Sequence, residues 1–175
     1  MQTMTNDTTA LLRDFTAAAD DFTNLLESFA PEVFNQAPFE GSWSPAQVGD
    51  HVLKFLSGTK SALSVPKAIP GRAPDAHEPL LREIFLNFEW KAKAPASVVP
   101  SDEQIDKAQL LHALKEIRET LSVRIGEEDL LMLCAGVSFP TIGDLTGQEW
   151  VLFADYHLRR HTHQLQQMQP YFNPQ

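Results

Sequence analysis

Three four-residue patterns limit what this chain can fold into: S-P-A-Q at 44–47, S-D-E-Q at 101–104 and T-G-Q-E at 146–149. In each, a hydroxyl residue precedes Glu or Gln by three positions. That spacing lets two side chains reciprocally satisfy free N–H groups at a helix start. Each pattern heads a run whose apolar residues recur at helical spacing. After Ser44 come Val48, Val52, Phe55 and Leu56, continuing to about Leu63, with Pro45 suited to the first helical position. After Ser101 come Leu110, Leu111, Leu114, Ile117, Leu121 and Ile125, with Gly126 as the expected stop. The run after Thr146 is expected to reach about Gln169, before Pro170. A fourth run, over about 7–29, carries Leu11, Leu12, Phe15, Ala18, Phe22, Leu25, Leu26 and Phe29 and ends ahead of Pro31.

With 175 residues, 43% of them hydrophobic, the chain has material for one domain with a sizeable core, and that domain is expected over 1–175. Its fold class is read as all-α, a four-helix bundle with a long crossover connection. The crossover is the Pro-rich stretch 64–100, in which a short helix is expected over about 80–90. Connections of that length usually serve function, for instance as a lid. The segment 128–140, with LLMLCAGVSFP, reads as a helix end or a packed loop.

A formal net charge of −9 argues against a nucleic-acid partner, because that binding runs on Lys and Arg. The densest lysines, Lys91 and Lys93, stand alone in the Pro-rich stretch. A single cysteine, Cys134, rules out a disulfide within the chain and fits a reducing compartment. No signal peptide and no run long enough to cross a bilayer is read, so a cytoplasmic protein without a membrane partner is expected.

Three of the six histidines fall within seven positions, at His157, His161 and His163. At about 100° per residue, His157 and His161 share one helix face with Trp150, Phe153, Gln164 and Met168, while His163 points away. His51 shares an apolar face with Ser44, Val48 and Phe55 in the second run. Gly49 and Gly58 are unusual inside a helix and suggest room for a close neighbour or a ligand. His51, His157 and His161 are therefore candidates to converge from two helices. Neutral imidazoles ligate divalent metals, and three protein ligands leave a coordination position open. The spacing equally admits hydrogen-bonded core histidines, and no glutamate of the H-E-x-x-H kind supplies a general base.

The stretches W-S-P-A-Q-V-G-D-H (43–51), P-T-I-G-D-L-T-G-Q-E-W (140–150) and H-L-R-R-H-T-H-Q-L (157–165) resemble the DinB/YfiT-like family in order and separation. The resemblance spans about 29–168. It implies a four-helix bundle of bacterial origin, commonly a homodimer. It also implies a divalent metal, zinc or nickel, on the three histidines that match His51, His157 and His161. His112 and His163 have no counterpart. Relatives of this kind include S-transferases and isomerases that use low-molecular-weight thiols, and metal-dependent hydrolases.

Four functions stay open. One is a metal-dependent transferase acting on a small-molecule substrate with a bacterial thiol. The second is a hydrolase in which the metal activates water, for which Asp50 and Asp155 are the nearest carboxylates in sequence, both turned off the inner face by helical phase. The third is a non-catalytic, stress-related metal- or ligand-binding module, and the fourth is a bundle without metal. No catalytic residue is assigned. Trp43, Trp90 and Trp150 read as packing residues, Cys134 as a small buried apolar group, Arg160 as a surface ion-pair partner, and Gln164 as a candidate support for a ligand.

Overall fold

A computed structural model describes residues 3–90 and 93–172, with side chains from Thr8 onward. Lys91 lies outside the described residues. The molecule is mostly helical, with a small sheet. Four long helices carry it: α1 (Thr3–Glu27), α3 (Pro45–Leu63), α5 (Lys107–Glu127) and α6 (Gly147–Phe172), with two shorter ones, α2 (Pro31–Phe34) and α4 (Glu78–Leu86). Both α1 and α3 pack against α5 and α6, so the four long helices close a ring. Their facing stripes meet in one apolar core. Phe15, Phe22, Leu26, Leu56, Leu63, Leu114, Leu121, Ile125, Leu158 and Leu165 are all fully buried. Each such side chain contributes about 1.5–3 kcal/mol of transfer free energy.

Two of the three capping patterns cap helices as expected. The Ser44 hydroxyl accepts from Gln47 N–H, and the Ser44 N–H donates to Gln47 Oε1. The Thr146 hydroxyl accepts from Glu149 N–H, and the Thr146 N–H donates to Glu149 Oε2. The third does not. Helix α5 opens six residues after Ser101, where the Asp106 carboxylate caps it by accepting from Gln109 N–H at 2.8 Å. Ser101 is instead bonded to α3: its N–H donates to Asp50 Oδ2 and its carbonyl accepts from Gln47 Nε2. Those bonds hold the backbone there outside the helix, and the D-x-x-Q pattern at 106–109 takes over the start.

The expected stops also shift. Gly126 lies inside α5, whose end is closed by Glu128 N–H on the Arg124 carbonyl. Pro170 lies in the last turns of α6, which continues to Phe172. So close to the end a missing N–H costs little, and Phe172 gains an edge-to-face contact with Phe29 at 6.1 Å. Pro31 opens α2 in the first-turn position that suits proline.

The all-α expectation needs correcting. Segment 128–140 contains strand β2 (Leu133–Phe139), which pairs antiparallel with β1 (Lys67–Ala68) and β3 (Gly143–Thr146). Positive φ at Thr141 (65°) and Gly143 (101°) turns the β2–β3 hairpin, and Gly136 at 81° falls within its register shift. Strand β1 is the start of the crossover, so the sheet pins that segment to the end of the bundle.

A buried carboxylate pins it again. Glu149 is 0% exposed. It accepts from both Nη atoms of Arg72 at 2.7 Å and from His77 N–H at 2.8 Å, in addition to its capping bond. A buried charge is tolerable only when paired and hydrogen-bonded in this way. One side chain thus fastens the starts of α4 and α6 together. Gly49 has a packing reason: a Cβ there would stand 2.7 Å from Leu26 and Leu110 side-chain carbons, so glycine lets α3 sit close to α1 and α5. Nothing in the structure explains Gly58. Among the described residues no helix is long and apolar enough to cross a membrane.

Candidate metal centre

Helix α3 carries His51 and α6 carries His157 and His161, and the α3–α6 contact brings the three rings together. Each offers a ring nitrogen, and the three nitrogens lie within 4.8 Å of one another. The Nε2 atoms of His51 and His157 are 3.5 Å apart. Two nitrogens on one tetrahedral zinc, each at 2.0–2.1 Å, stand about 3.4 Å apart.

The outer nitrogens decide what the inner ones can do. His51 Nδ1–H donates to the Val98 carbonyl at 2.7 Å. His161 Nδ1–H donates to Gln164 Oε1 at 2.7 Å. In a neutral ring each of those bonds leaves Nε2 as a bare lone pair. For His161 that Nε2 is buried and has no partner among the described residues, and His157 Nδ1 is likewise orphaned. An unsatisfied buried polar atom costs about 1–3 kcal/mol. A cation among the three rings removes that cost at His161, so the donor set fits a divalent metal.

Electrostatics point the same way. Burial holds the imidazole of His157 far below its ordinary pKa, with further lowering from His161, His51 and Arg160. Burial likewise pushes His161 down to about 3, with help from His51, against its hydrogen bond to Gln164. His51 is lowered by burial, partly opposed by its Val98 bond and by Asp50. All three are neutral at pH 7, the form that ligates metal.

Aromatic rings enclose the cluster. Phe55 stacks on His157 at 4.2 Å with planes 12° apart, Phe85 and Phe153 lie 4.8 and 5.1 Å from it, and Trp43 lies 5.1 Å from His51. The crossover closes the remaining side. One stripe of α3 holds its far end: besides the His51, Asp50 and Gln47 bonds, Lys54 Nζ donates to the Val99 carbonyl at 2.8 Å. From α6, Arg160 donates to the carbonyls of Asn87 and Trp90. His163 stacks on Phe88 at 4.4 Å.

The structure brings His51, His157 and His161 together, with Gln164 bonded to His161, and His163 lies outside the cluster as expected. Asp155 faces away, lining a cavity with residues of α1 and α4, and Asp50 is bonded to Ser101 and Lys54. Cys134 is free and buried. Arg160 departs from expectation, binding crossover carbonyls in place of an acid. Phe55, which shares the His51 face as expected, stacks on His157. One contributor was missed. The Val98 carbonyl gave no signal, because a backbone acceptor has no sequence signature.

Fold and site together define a mostly helical protein with a buried three-histidine cluster shared by two long helices. The chain belongs to the DinB superfamily, whose family model matches residues 14–165. It is 28% identical over 154 residues to the uncharacterized protein YuaE of Bacillus subtilis (strain 168), an alignment covering 83% of this chain and 88% of that one. No solved structure matches it.

Proposed function

We propose that His51, His157 and His161 hold a divalent metal, zinc or nickel, and that the protein is a metal-dependent transferase using a low-molecular-weight thiol. On this reading the ring of four long helices is a four-helix bundle of the DinB type, a single domain over 1–175 that works as a homodimer on a small-molecule substrate. The carrying observation is the buried, unpartnered Nε2 of His161, whose other nitrogen is tied to Gln164. When bound, the metal supplies a Lewis-acid position that favours the thiolate of a small thiol.

The chain's own residues do the rest. Gln164 and the Val98 carbonyl fix ring orientation and tautomer at two of the ligands. Phe55 and Phe153 keep water from the rings and strengthen each electrostatic interaction there. The thiol route is preferred to hydrolysis because, among the described residues, no carboxylate joins the three histidines as a base.

Two measurements test this. Elemental mass spectrometry of protein purified without added metal is expected to find one zinc or nickel per chain. Metal-loaded protein is expected to turn over model electrophiles only when a small thiol is added. Equal turnover without thiol would discard the transferase reading, and stoichiometric metal without any turnover would leave a binding module.

A further inference from the structure

A cavity of about 390 Å³ lies on the other side of α6, between that helix, α1 and α4. Its floor is apolar, from Leu11, Val151 and Leu152. Four carboxylates line it, Asp14, Asp75, Glu78 and Asp155, with two guanidinium groups, Arg82 and Arg159, while Arg13 pairs Asp14 from outside the lining. Much of this charge is internally paired. Glu78 accepts from Tyr156 at 2.6 Å and from Arg82 Nε at 2.7 Å, and Asp155 accepts from Arg159 Nε at 3.0 Å. Two acids stay outside these pairs. Among the described residues Asp14 bonds only its exposed neighbour Arg13, and the Asp75 carboxylate has no partner.

An acidic lining alone would not mark a site. The second observation is Gln148, which lines the cavity and is only 7% exposed. Its N–H is bonded to the Leu130 carbonyl, yet its side-chain amide has no partner among the described residues. A side chain this enclosed, with its amide left open toward a cavity, is a recognition group for a hydrogen-bonding ligand.

We propose that this cavity binds a short aliphatic diammonium ion. The ion's two ammonium groups would meet the Asp75 carboxylate, which has no partner among the described residues, and Asp14, whose exposed pair with Arg13 is screened by water and can be exchanged. A methylene chain matches the leucine and valine floor. The Gln148 amide oxygen accepts from one ammonium group. The site is distinct from the histidine cluster, which lies on the α3 side of α6.

Isothermal titration with 1,4-diaminobutane as probe tests the proposal. Saturable one-to-one binding is expected, about tenfold weaker for n-butylamine and absent for 1,4-butanediol. Added salt should weaken it. Gln148→Leu, which removes a group without protein partners and so leaves folding intact, is expected to weaken binding about fivefold, and Asp14→Asn about tenfold. Binding should persist in His161→Ala, since amines also ligate metals and that variant separates the two sites. The proposal falls if millimolar diamine gives no saturable heat, if the diol binds equally, if both cavity variants bind as the parent does, or if His161→Ala abolishes binding.

Discussion

The two sides of α6 each carry a deeply buried polar side chain and are built on opposite principles. Toward α3, His161 is 6% exposed; toward α1 and α4, Asp155 is 4% exposed. The first side carries neutral imidazoles walled by aromatic rings and leaves His157 Nδ1 and His161 Nε2 without partners among the described residues. The second is crowded with ionic groups that mostly satisfy one another: Glu78 with Tyr156 and Arg82, Asp155 with Arg159. Burial therefore does not identify a functional side chain. A buried acceptor with nothing to bond, placed beside other ligating nitrogens as His161 Nε2 is, points to a ligand more strongly; the Ser122 hydroxyl and the Trp150 indole N–H are also buried without partners among the described residues, but no ligating group joins them.

The strongest way to break this contrast is to remove an inner imidazole. His157→Ala is expected to lower metal affinity at least 100-fold, seen as loss of metal after dialysis. Unchanged metal content would refute the ligand assignment. The apo variant should fold, because the deleted ring carries an orphaned nitrogen. Gln164→Leu should have a smaller effect of the same kind, about 10–100-fold in affinity, as its amide only orients His161.

Acid sharpens the contrast next. His161 is held down to about 3, against an ordinary value near 6.5. A depressed imidazole binds its proton less readily folded than unfolded, so above pH 6.5 it has no effect on stability. Below 6.5 the unfolded chain takes up the proton first, and stability falls as pH drops toward 3, by about 1.4 kcal/mol per pH unit for one group. Metal-free protein should thus show a falling urea midpoint from pH 7 to 5, and bound metal should oppose the loss. A flat midpoint over that range in metal-free protein would mean the rings are hydrated and the inner face is not closed.

How much of this was legible in the sequence follows from how local each signal is. Capping at Ser44 and Thr146 was readable because it is decided within four residues. Capping at Ser101 was misread because Gln47 and Asp50, on a distant helix, hold its backbone. The histidine pair was readable because helical phase is arithmetic, and His51 joined it through an apolar face and a family resemblance. Strand β2 was not, since Gly136 interrupts its alternation and its partners lie far away at 67–68 and nearer at 143–146. The cavity on the acidic side was also invisible. It needs Asp14, Asp75 and Gln148 side by side, and no spacing rule links three separate elements.

The smallest expected effect probes how the charged side satisfies itself. Tyr156 donates to Glu78 and accepts from Arg82, and burial together with Glu78 holds its phenol protonated far above the ordinary value. Tyr156→Phe removes one hydroxyl from this set and leaves the Arg82–Glu78 pair in place. The expected cost is about 1 kcal/mol in urea unfolding, the net worth of an ordinary hydrogen bond. A more specific readout is the Glu78 carboxyl, which is held below its ordinary value first by the Tyr156 hydrogen bond and then by Arg82. Its contribution to stability is present above pH 4.5 and is lost as pH falls through its lowered folded value. In Tyr156→Phe, Glu78 should titrate at higher pH by NMR, with that window narrowed. If Glu78 does not move, Arg82 alone sets it, and the acidic side is a collection of separate surface pairs rather than a connected counterpart to the histidine cluster.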